Sequence, residues 1–301
     1  MKKQLLITGG TGLIGSALIK RLLQRDAYLI TILSRNPARH RADFPQEIQW
    51  LESLDEIPAD GHYHVVVNLA GEGIGNKRWS ENQKQRIYHS RIDLTRALVS
   101  KLRELAQPPE VMISGSAIGY YGSQDDSTLT ETSPPHQEFT HELCHDWEEA
   151  AMDIEALGTR LCRIRTAVVL AKDEGALPQM LLPFRLFVGG KIGSGRQYMS
   201  WIHQEDEIRA IDFLIHQEEC KGAYNLSSPN PVTNATFSKT AGKVLHRPSL
   251  FPLPGFVVKI LFGEMGRVLL LSGQRVYPAR LLEAGFDFRH PHLQEALTSL
   301  L

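Results

Sequence analysis

Gly9, Gly12 and Gly15 are spaced so that a tight turn could bring main-chain amides against a diphosphate. The residues before them, 4–8 (Gln-Leu-Leu-Ile-Thr), read as a short buried strand. The residues after them read as an amphipathic helix, with Ile14, Leu18 and Leu22 on one face and Lys20, Arg21, Gln24 and Arg25 elsewhere. A helix that starts straight out of such a turn offers unpaired N–H groups and a partial positive charge. Thr8, Gly9, Thr11, Gly12, Leu13, Ile14 and Gly15 are therefore the expected cradle of a dinucleotide's pyrophosphate.

The next strand refines the ligand. Residues 28–33 (Tyr-Leu-Ile-Thr-Ile-Leu) are β-branched and apolar, and Ser34-Arg35-Asn36-Pro37 follows. A site for an unmodified ribose keeps an acidic residue about twenty positions past the glycines. Here that position holds no Asp or Glu; Arg35 stands there, with Ser34 beside it and Arg39 close behind. A guanidinium suits a 2′-phosphate. The expected cofactor is NADP(H), with Ser34 and Arg35 selecting it.

Other side chains offer proton or anion chemistry. Glu72 follows the apolar run 65–70, where a carboxylate would face the reacting end of the cofactor. Tyr120 and Tyr121 share a loop and provide phenols. Lys77, Arg78 and Arg91 offer cations to an anionic substrate. His141-Glu142-Leu143-Cys144-His145 matches the H-E-x-x-H pattern of zinc hydrolases. No third ligand motif follows it, and its helix belongs to a dinucleotide fold, so no metal is expected.

These residues need a frame. Strand and helix signals alternate through about the first 170 residues. Residues 65–70 (Val-Val-Val-Asn-Leu-Ala) fit a central parallel strand, and 111–114 and 160–170 fit further strands. Ser80-Glu81-Asn82-Gln83 opens a long helix that should stop before Pro108-Pro109. Residues 139–157 read as a helix closed by Gly158. The pattern predicts a doubly wound parallel α/β sheet of the Rossmann type, with ligands at the carboxyl ends of its strands. After Leu170 the chain turns rich in Gly, Pro and Leu, then gives a strand at 200–203, a helix at 204–218 and proline-broken helical pieces from Pro229 onward. The expected division is a dinucleotide domain at 1–170 plus 197–228 and a smaller C-terminal substrate domain at 171–196 plus 229–301. Substrate would lie between them, under the glycine-rich stretch 189–195 as a lid.

With 301 residues, 42% hydrophobic and 22% charged, the chain has the profile of an ordinary globular protein. Its net charge of −1 suggests neither a nucleic acid nor an anionic membrane as partner. Cys144, Cys162 and Cys220 form no metal spacing or disulfide framework and fit a reducing compartment, so a cytoplasmic location is expected. The brief apolar run at the N-terminus, ended by glycines, does not fit a signal peptide.

Residues 8–15, Asn68-Leu69-Ala70-Gly71 and Ser114-Gly115-Ser116-Ala117 together resemble the extended short-chain dehydrogenase/reductases, the NAD-dependent epimerase/dehydratase group. Over the whole chain, Lys77-Arg78-Trp79, Ser90-Arg91, residues 114–122, Ser200-Trp201-Ile202-His203, Gly263-Glu264 and residues 272–278 resemble an atypical branch of it, the complex-I-like "epimerase family". The resemblance implies a Rossmann fold and bound NADP(H), and leaves the substrate open. It implies that Asn68, Leu69, Ala70, Gly71, Ser114, Gly115 and Val168 border the cofactor. It makes Ser116 the carbonyl-polarising hydroxyl and puts Arg78, Trp79, Arg91 and His203 on the substrate side. Homodimers built through surface helices are common in the wider family.

The chain departs from the family where proton chemistry is done. The usual Tyr-x-x-x-Lys pair uses a lysine to lower a tyrosine's pKa. Here the pair becomes Thr140/Cys144 or His141/His145, depending on register. Arg91 replaces a usual asparagine, and Met199 replaces an arginine that grips nucleotide-sugar diphosphates. Two functions are therefore expected in competition. One is an NADP(H)-dependent oxidoreductase or epimerase-like enzyme working through Ser116, Glu72, Tyr120 and Tyr121; the other is an NADP(H) sensor or scaffold without turnover.

Overall fold

Leu5 and Ile7 of one short strand face one helical layer, while Leu6 faces the other; all three are fully buried. That is the signature of a sheet covered on both sides. The structure, a computed structural model, describes residues 2–124 and 126–301. Its sheet has strands β1 (Lys3–Thr8), β2 (Tyr28–Leu33), β3 (Gln49–Leu51), β4 (Val65–Asn68), β5 (Val111–Ala117), β6 (Arg160–Thr166) and β7 (Gly222–Leu226). They are all parallel, in the order β7-β6-β5-β4-β1-β2-β3. The helices are α1 (Leu13–Gln24), α2 (Glu81–His89), α3 (Ile92–Arg103), α4 (Phe139–Met152), α5 (Leu177–Arg185), α6 (Gln204–His216), α7 (Asn234–Leu245), α8 (Gly255–Leu269), α9 (Ala279–Glu283) and α10 (Leu293–Leu300).

Helices α1 and α6 cover one face through Leu18, Ile19, Leu22, Ile208, Ile211 and Leu214. Helix α3 and the turn after α4 cover the other through Leu98, Leu102 and Ile154. Each such side chain contributes about 1.5–3 kcal/mol relative to exposure, so the two layers fix the sheet. Strand order reverses between β1 and β4, where Thr8 lies directly beside Asn68. The crevice at that switch point is where a doubly wound sheet binds its ligand.

Three elements differ from the sequence reading for local reasons. The long helix after Ser80 breaks at Ser90-Arg91 into α2 and α3. There Ser90 Oγ donates to Ile87 O and accepts from the Glu72 amide, which ties the break to the loop after β4. The strand expected over 160–170 divides at Ala167: β6 stays in the sheet, while Val168–Leu170 turns away to pair with Trp201–His203. The helix expected to reach residue 157 ends as α4 at Met152 and continues as a 3-10 turn up to Gly158, whose φ is 83°.

A second core gathers Leu170, Leu177, Phe184, Trp201, Phe237 and Leu297, so α5, α7 and α10 form the smaller lobe. Leu281, Phe286 and Phe288, which the sequence placed in that lobe, instead pack into the sheet's own core beside β7.

Two carboxyl groups on α6 are shifted in opposite directions. Burial would raise Asp212, but bonds from His216, Arg21 and Arg25 outweigh it and hold it at about 2. The two arginine bonds, both 2.7 Å, clamp α6 to α1. Glu207 is fully buried, with only Thr166 Oγ1 donating to it at 2.8 Å, and burial pushes it up to about 8. A carboxyl that holds its proton more tightly in the fold supports stability at low pH. That support is lost as pH rises from the ordinary value of 4.5 through about 8. His216, also raised, loses its contribution in the same direction, so a comparison of variants isolates Glu207. Glu207→Gln keeps the Thr166 bond and removes the ionisation. Urea unfolding from about pH 5 to pH 8 should show the wild type losing stability with pH and the variant losing much less. Parallel curves would show that Glu207 is not the buried proton.

Candidate functional site: a dinucleotide crevice over a buried polar network

The turn after β1 is built by close backbone approach. Gly9 has φ +68°, and a Cβ there would fall 2.7 Å from the Leu69 carbonyl. A Cβ on Gly15 would fall 2.3 Å from Gly9 O. Both are glycine because the fold leaves no room. Gly12 differs: its Cβ would meet nothing nearer than Gly9 O at 3.4 Å, an ordinary contact. The fold does not require glycine there, but a ligand lying on the turn would. Gly12 caps α1 with no side-chain bond, and the first turn of α1 holds no acidic residue. The helix therefore presents its amides and positive end to the crevice. Leu13 and Ile14 anchor that end in the main core, and Leu13 O accepts from Gln204 at 3.2 Å. Thr11 is half-buried in the turn before them.

Beneath the turn runs a chain of buried hydrogen bonds. Thr8 Oγ1 donates to Asn68 Oδ1 at 2.7 Å and accepts from the Ala70 amide. Asn68 Nδ2 donates to Thr95 Oγ1, which also accepts from Trp147 Nε1. The Thr8 and Asn68 side chains, expected at the cofactor, are thus spent inside the protein, and they join β1, β4, α3 and α4. Leu69 donates its amide to Thr8 O, which holds the second wall of the crevice. Gly115 is glycine because a Cβ would strike the Trp147 ring at 2.7 Å. Ser114 Oγ is buried without a partner among the described residues.

At the end of β2, Ser34 is tied by its amide to Leu51 O, while Arg35 is exposed. Arg35 makes no ion pair among the described residues and stands at the end of β2 with its guanidinium free of a carboxylate partner.

The reacting end rests on a second network. Ser116 Oγ donates to Glu148 Oε1 at 2.8 Å. Arg165 grips the same carboxylate through Nε at 2.7 Å and Nη2 at 3.0 Å, and Arg163 adds a bond at 3.3 Å. Arg165 Nη1 also donates to Tyr121 Oη, which donates to Asn225 Oδ1 at 2.6 Å. Burial pushes Tyr121 up to about 12. Tyr121, expected to be a substitute acid, is instead a fully buried member of this network with its proton committed. Ser116, itself buried, gives its proton to Glu148.

Tyr120 occupies the loop differently. It is half-buried, its ring lies 3.4 Å from the Arg165 guanidinium, and its hydroxyl has no hydrogen bond among the described residues. His141 Nδ1 meets Tyr120 O at 2.6 Å, an arrangement that puts the proton on Nδ1. Cys144, the other register's partner, is buried, and burial pushes its thiol up to about 12. Glu72 lies next to Arg91, whose guanidinium would meet a Cβ on Gly71 at 2.8 Å. Burial lowers the Arg91 pKa, with Cys144 and Glu72 acting the other way.

The expected substrate residues separate. Arg91 is at the crevice wall, and Arg78 reaches Gly263 of α8, while neighbouring Lys77 is exposed. Trp79 is buried in a core cluster with its Nε1 donating to Ile74 O, so it packs rather than faces a ligand. His203 is also corrected: it caps α6 by accepting from the Glu205 amide, meets Ser299 Oγ through Nε2, and stacks on His290 at 3.8 Å. Burial and His290 lower it to about 4. Val168 packs against the second core.

His203, Glu205 and His290 are grouped closely enough to suggest a metal site. Both nitrogens of His203 are already engaged, and Arg289 is bonded to Glu205. The grouping joins the C-terminal segment to α6 through Arg289 and His290. Likewise, His141 of the H-E-x-x-H run has Nδ1 tied to backbone.

Glu148 and Arg165 escaped the sequence reading. Two signals pointed to them: arginines at alternate positions of an otherwise apolar strand, and the i, i+4 series Thr140, Cys144, Glu148 on one face of α4.

Comparison with known proteins places this geometry. Residues 5–227 match the NAD dependent epimerase/dehydratase family, and residues 253–300 match a domain of unknown function (DUF1731). An epimerase family protein of Mycobacterium leprae is 40% identical over 97% of this chain and 94% of its own. Bacillus subtilis YfhF, also an epimerase family protein, is 38% identical over 98% of this chain and 97% of its own. The crystal structure of human epimerase family protein SDR39U1 with NADPH superposes with a TM-score of 0.88 at 35% identity, covering 99% of this chain and 98% of that one. A glycine turn at a switch point and matches of this extent lead to one conclusion: the chain belongs to the NAD-dependent epimerase/dehydratase family and carries the DUF1731 domain at its C-terminal end.

Proposed function

We propose that the chain binds NADP(H) and acts as an oxidoreductase or epimerase-like enzyme on a small molecule with a carbonyl or hydroxyl carbon. The observation that carries the cofactor choice is Arg35, exposed and free of ion pairs where a ribose-binding carboxylate would otherwise stand. The open side of Gly12 and the uncapped start of α1 fit the pyrophosphate. When bound, the nicotinamide supplies reversible hydride exchange.

The chain's own residues supply the rest. Ser116, held rigid by Glu148 and Arg165, offers its lone pairs to a substrate hydroxyl at the end of β5. Tyr120 is the phenol of its loop left uncommitted, and it is the proton donor in this reading. Glu72 and Arg91 border the same crevice, and Arg91 with Arg78 favours an anionic substrate. The free, buried cysteines fit a cytoplasmic setting. No helix among the described residues is long and apolar enough to cross a membrane. A sensor without turnover is the second reading, favoured by the Ser116 proton being given to Glu148.

Fluorescence titration should show NADPH binding more tightly than NADH. Arg35→Asp should weaken NADPH by about tenfold or more, the loss of one charge-assisted phosphate contact, and spare NADH. An unchanged preference removes Arg35 from the 2′-phosphate. Gly12→Ala should leave the melting temperature near wild type and lower dinucleotide affinity by about tenfold, whereas Gly15→Ala should lower the melting temperature outright. Against a panel of aldehydes and ketones, Tyr120→Phe should reduce kcat by about a hundredfold with NADPH affinity intact. A wild type inert to every carbonyl would leave the sensor reading standing.

A further inference from the structure

The smaller lobe carries an exposed face that combines apolar side chains with unpaired cations. From residue 175 to residue 204, and again from 220 to 263, the chain contains no Asp or Glu. Arg185, Lys191, Lys239, Lys243, Arg247 and Lys259 all lie in these stretches and are exposed, and none forms an ion pair among the described residues. The net charge of −1, which set aside an anionic surface in the sequence reading, averages over this segregation.

The apolar component is large. Leu186, Phe187 and Val188 are 63%, 54% and 55% exposed at the end of α5. Leu250 and Phe251 are 77% and 55% exposed in the loop before α8, and Phe256 and Ile260 are 66% and 68% exposed on α8 itself. A helix with Phe and Ile outward and Val258 inward is apolar on both sides, which water alone does not favour. The end of α5 and the loop that leads into α8 form one surface. Phe251 donates its amide to Gly189 O, Leu253 donates to Lys191 O, and the Arg247 guanidinium lies 4.5 Å from the Phe187 ring. Lys239, Lys243, Arg247 and Leu250 border a single open depression beside them. Phe187 holds its position in a left-handed backbone conformation, φ 64°, which a bulky residue avoids unless its surroundings impose it.

Charge decides what covers this face. A second copy joined by a two-fold axis would set cations against cations. A nucleic acid would use the cations but not the aliphatic side chains. An interface of anionic headgroups over hydrocarbon uses both. We propose that this face docks on an anionic phospholipid bilayer. Phe187, Phe251 and Phe256 enter the headgroup layer, and Lys243, Arg247 and Lys259 meet lipid phosphates. The proposal does not rest on the enzymatic reading.

Vesicle co-sedimentation of the full chain tests it. The protein should pellet with vesicles of equal parts phosphatidylcholine and phosphatidylglycerol, remain soluble with phosphatidylcholine alone, and be released by salt. Lys243→Glu with Arg247→Glu should weaken the association by about tenfold or more. Phe187→Ser with Phe251→Ser should weaken it at unchanged charge, with an unchanged cooperative thermal melt reporting that both variants remain folded. Failure to pellet with the anionic vesicles overturns the proposal, as does equal pelleting with both compositions. A dimer dissolved by the Phe251→Ser variant, or retention on duplex DNA, without vesicle binding would assign the face to those occupants instead and equally overturn it.

Discussion

The site depends on the contact between the end of β1 and the end of β4. Gly9 lies so close to Leu69 and Ala70 that no side chain fits between them. Thr8 and Asn68 join hands below, and Thr95 and Trp147 extend the bond chain into α3 and α4. In a buried setting each of these donors would cost roughly 1–3 kcal/mol if left unmade. The chain therefore locks two strands and two helices into one register. A crevice floored this way is preorganised, and a dinucleotide would meet amides already in place.

The second network solves a different problem. Glu148 is a buried carboxylate, and a buried charge survives only when paired and hydrogen-bonded. Arg165 supplies a bidentate partner and Ser116 a third bond. The remaining guanidinium nitrogen donates to Tyr121 Oη and Glu131 O, and Tyr121 in turn donates to Asn225 Oδ1. Removing one member would leave an uncompensated charge, typically worth about 3–5 kcal/mol, whereas the intact cluster is weak evidence for net stability. Its value here is positional: it fixes the end of β5 and sets the Arg165 guanidinium against the Tyr120 ring. The family's Tyr-x-x-x-Lys chemistry is absent from α4, and the inner positions of that helix serve this network instead.

Much of the fold was legible because its signals are local. The glycine turn, the valine run of β4 and the cap at Ser80 each follow from spacing and residue type. What was hidden depends on partners distant in sequence. Nothing near Tyr121 announces Asn225, and nothing near Ser116 announces Glu148, so a phenol and a hydroxyl that looked available are consumed. The break of the long helix at Ser90 comes from Glu72, eighteen residues earlier. Trp79 and His203 were misplaced for the same reason, since an aromatic ring in a family motif does not reveal whether it packs or faces a ligand. Leu281, Phe286 and Phe288 follow proline-rich sequence yet return to the first core, because sequence order does not record which sheet edge is left bare.

Averaging also hides information. A net charge near zero describes the chain as a whole, yet electrostatic attraction acts over about a Debye length, roughly 8–10 Å at physiological salt. Along the chain, residues 175–204 and 220–263 carry cations without carboxylates, bounded by Glu174, Glu205, Glu219 and Glu264. The apolar side chains of the same face are interleaved with those cations in space but not in sequence: Phe187 and Arg247 touch from opposite ends of the lobe. Composition could not report this pairing, because it arises only when α5 and α7 fold against one another. The two lobes thus divide the labour, one fixing a dinucleotide crevice through buried polar bonds, the other leaving its unpaired cations at the surface.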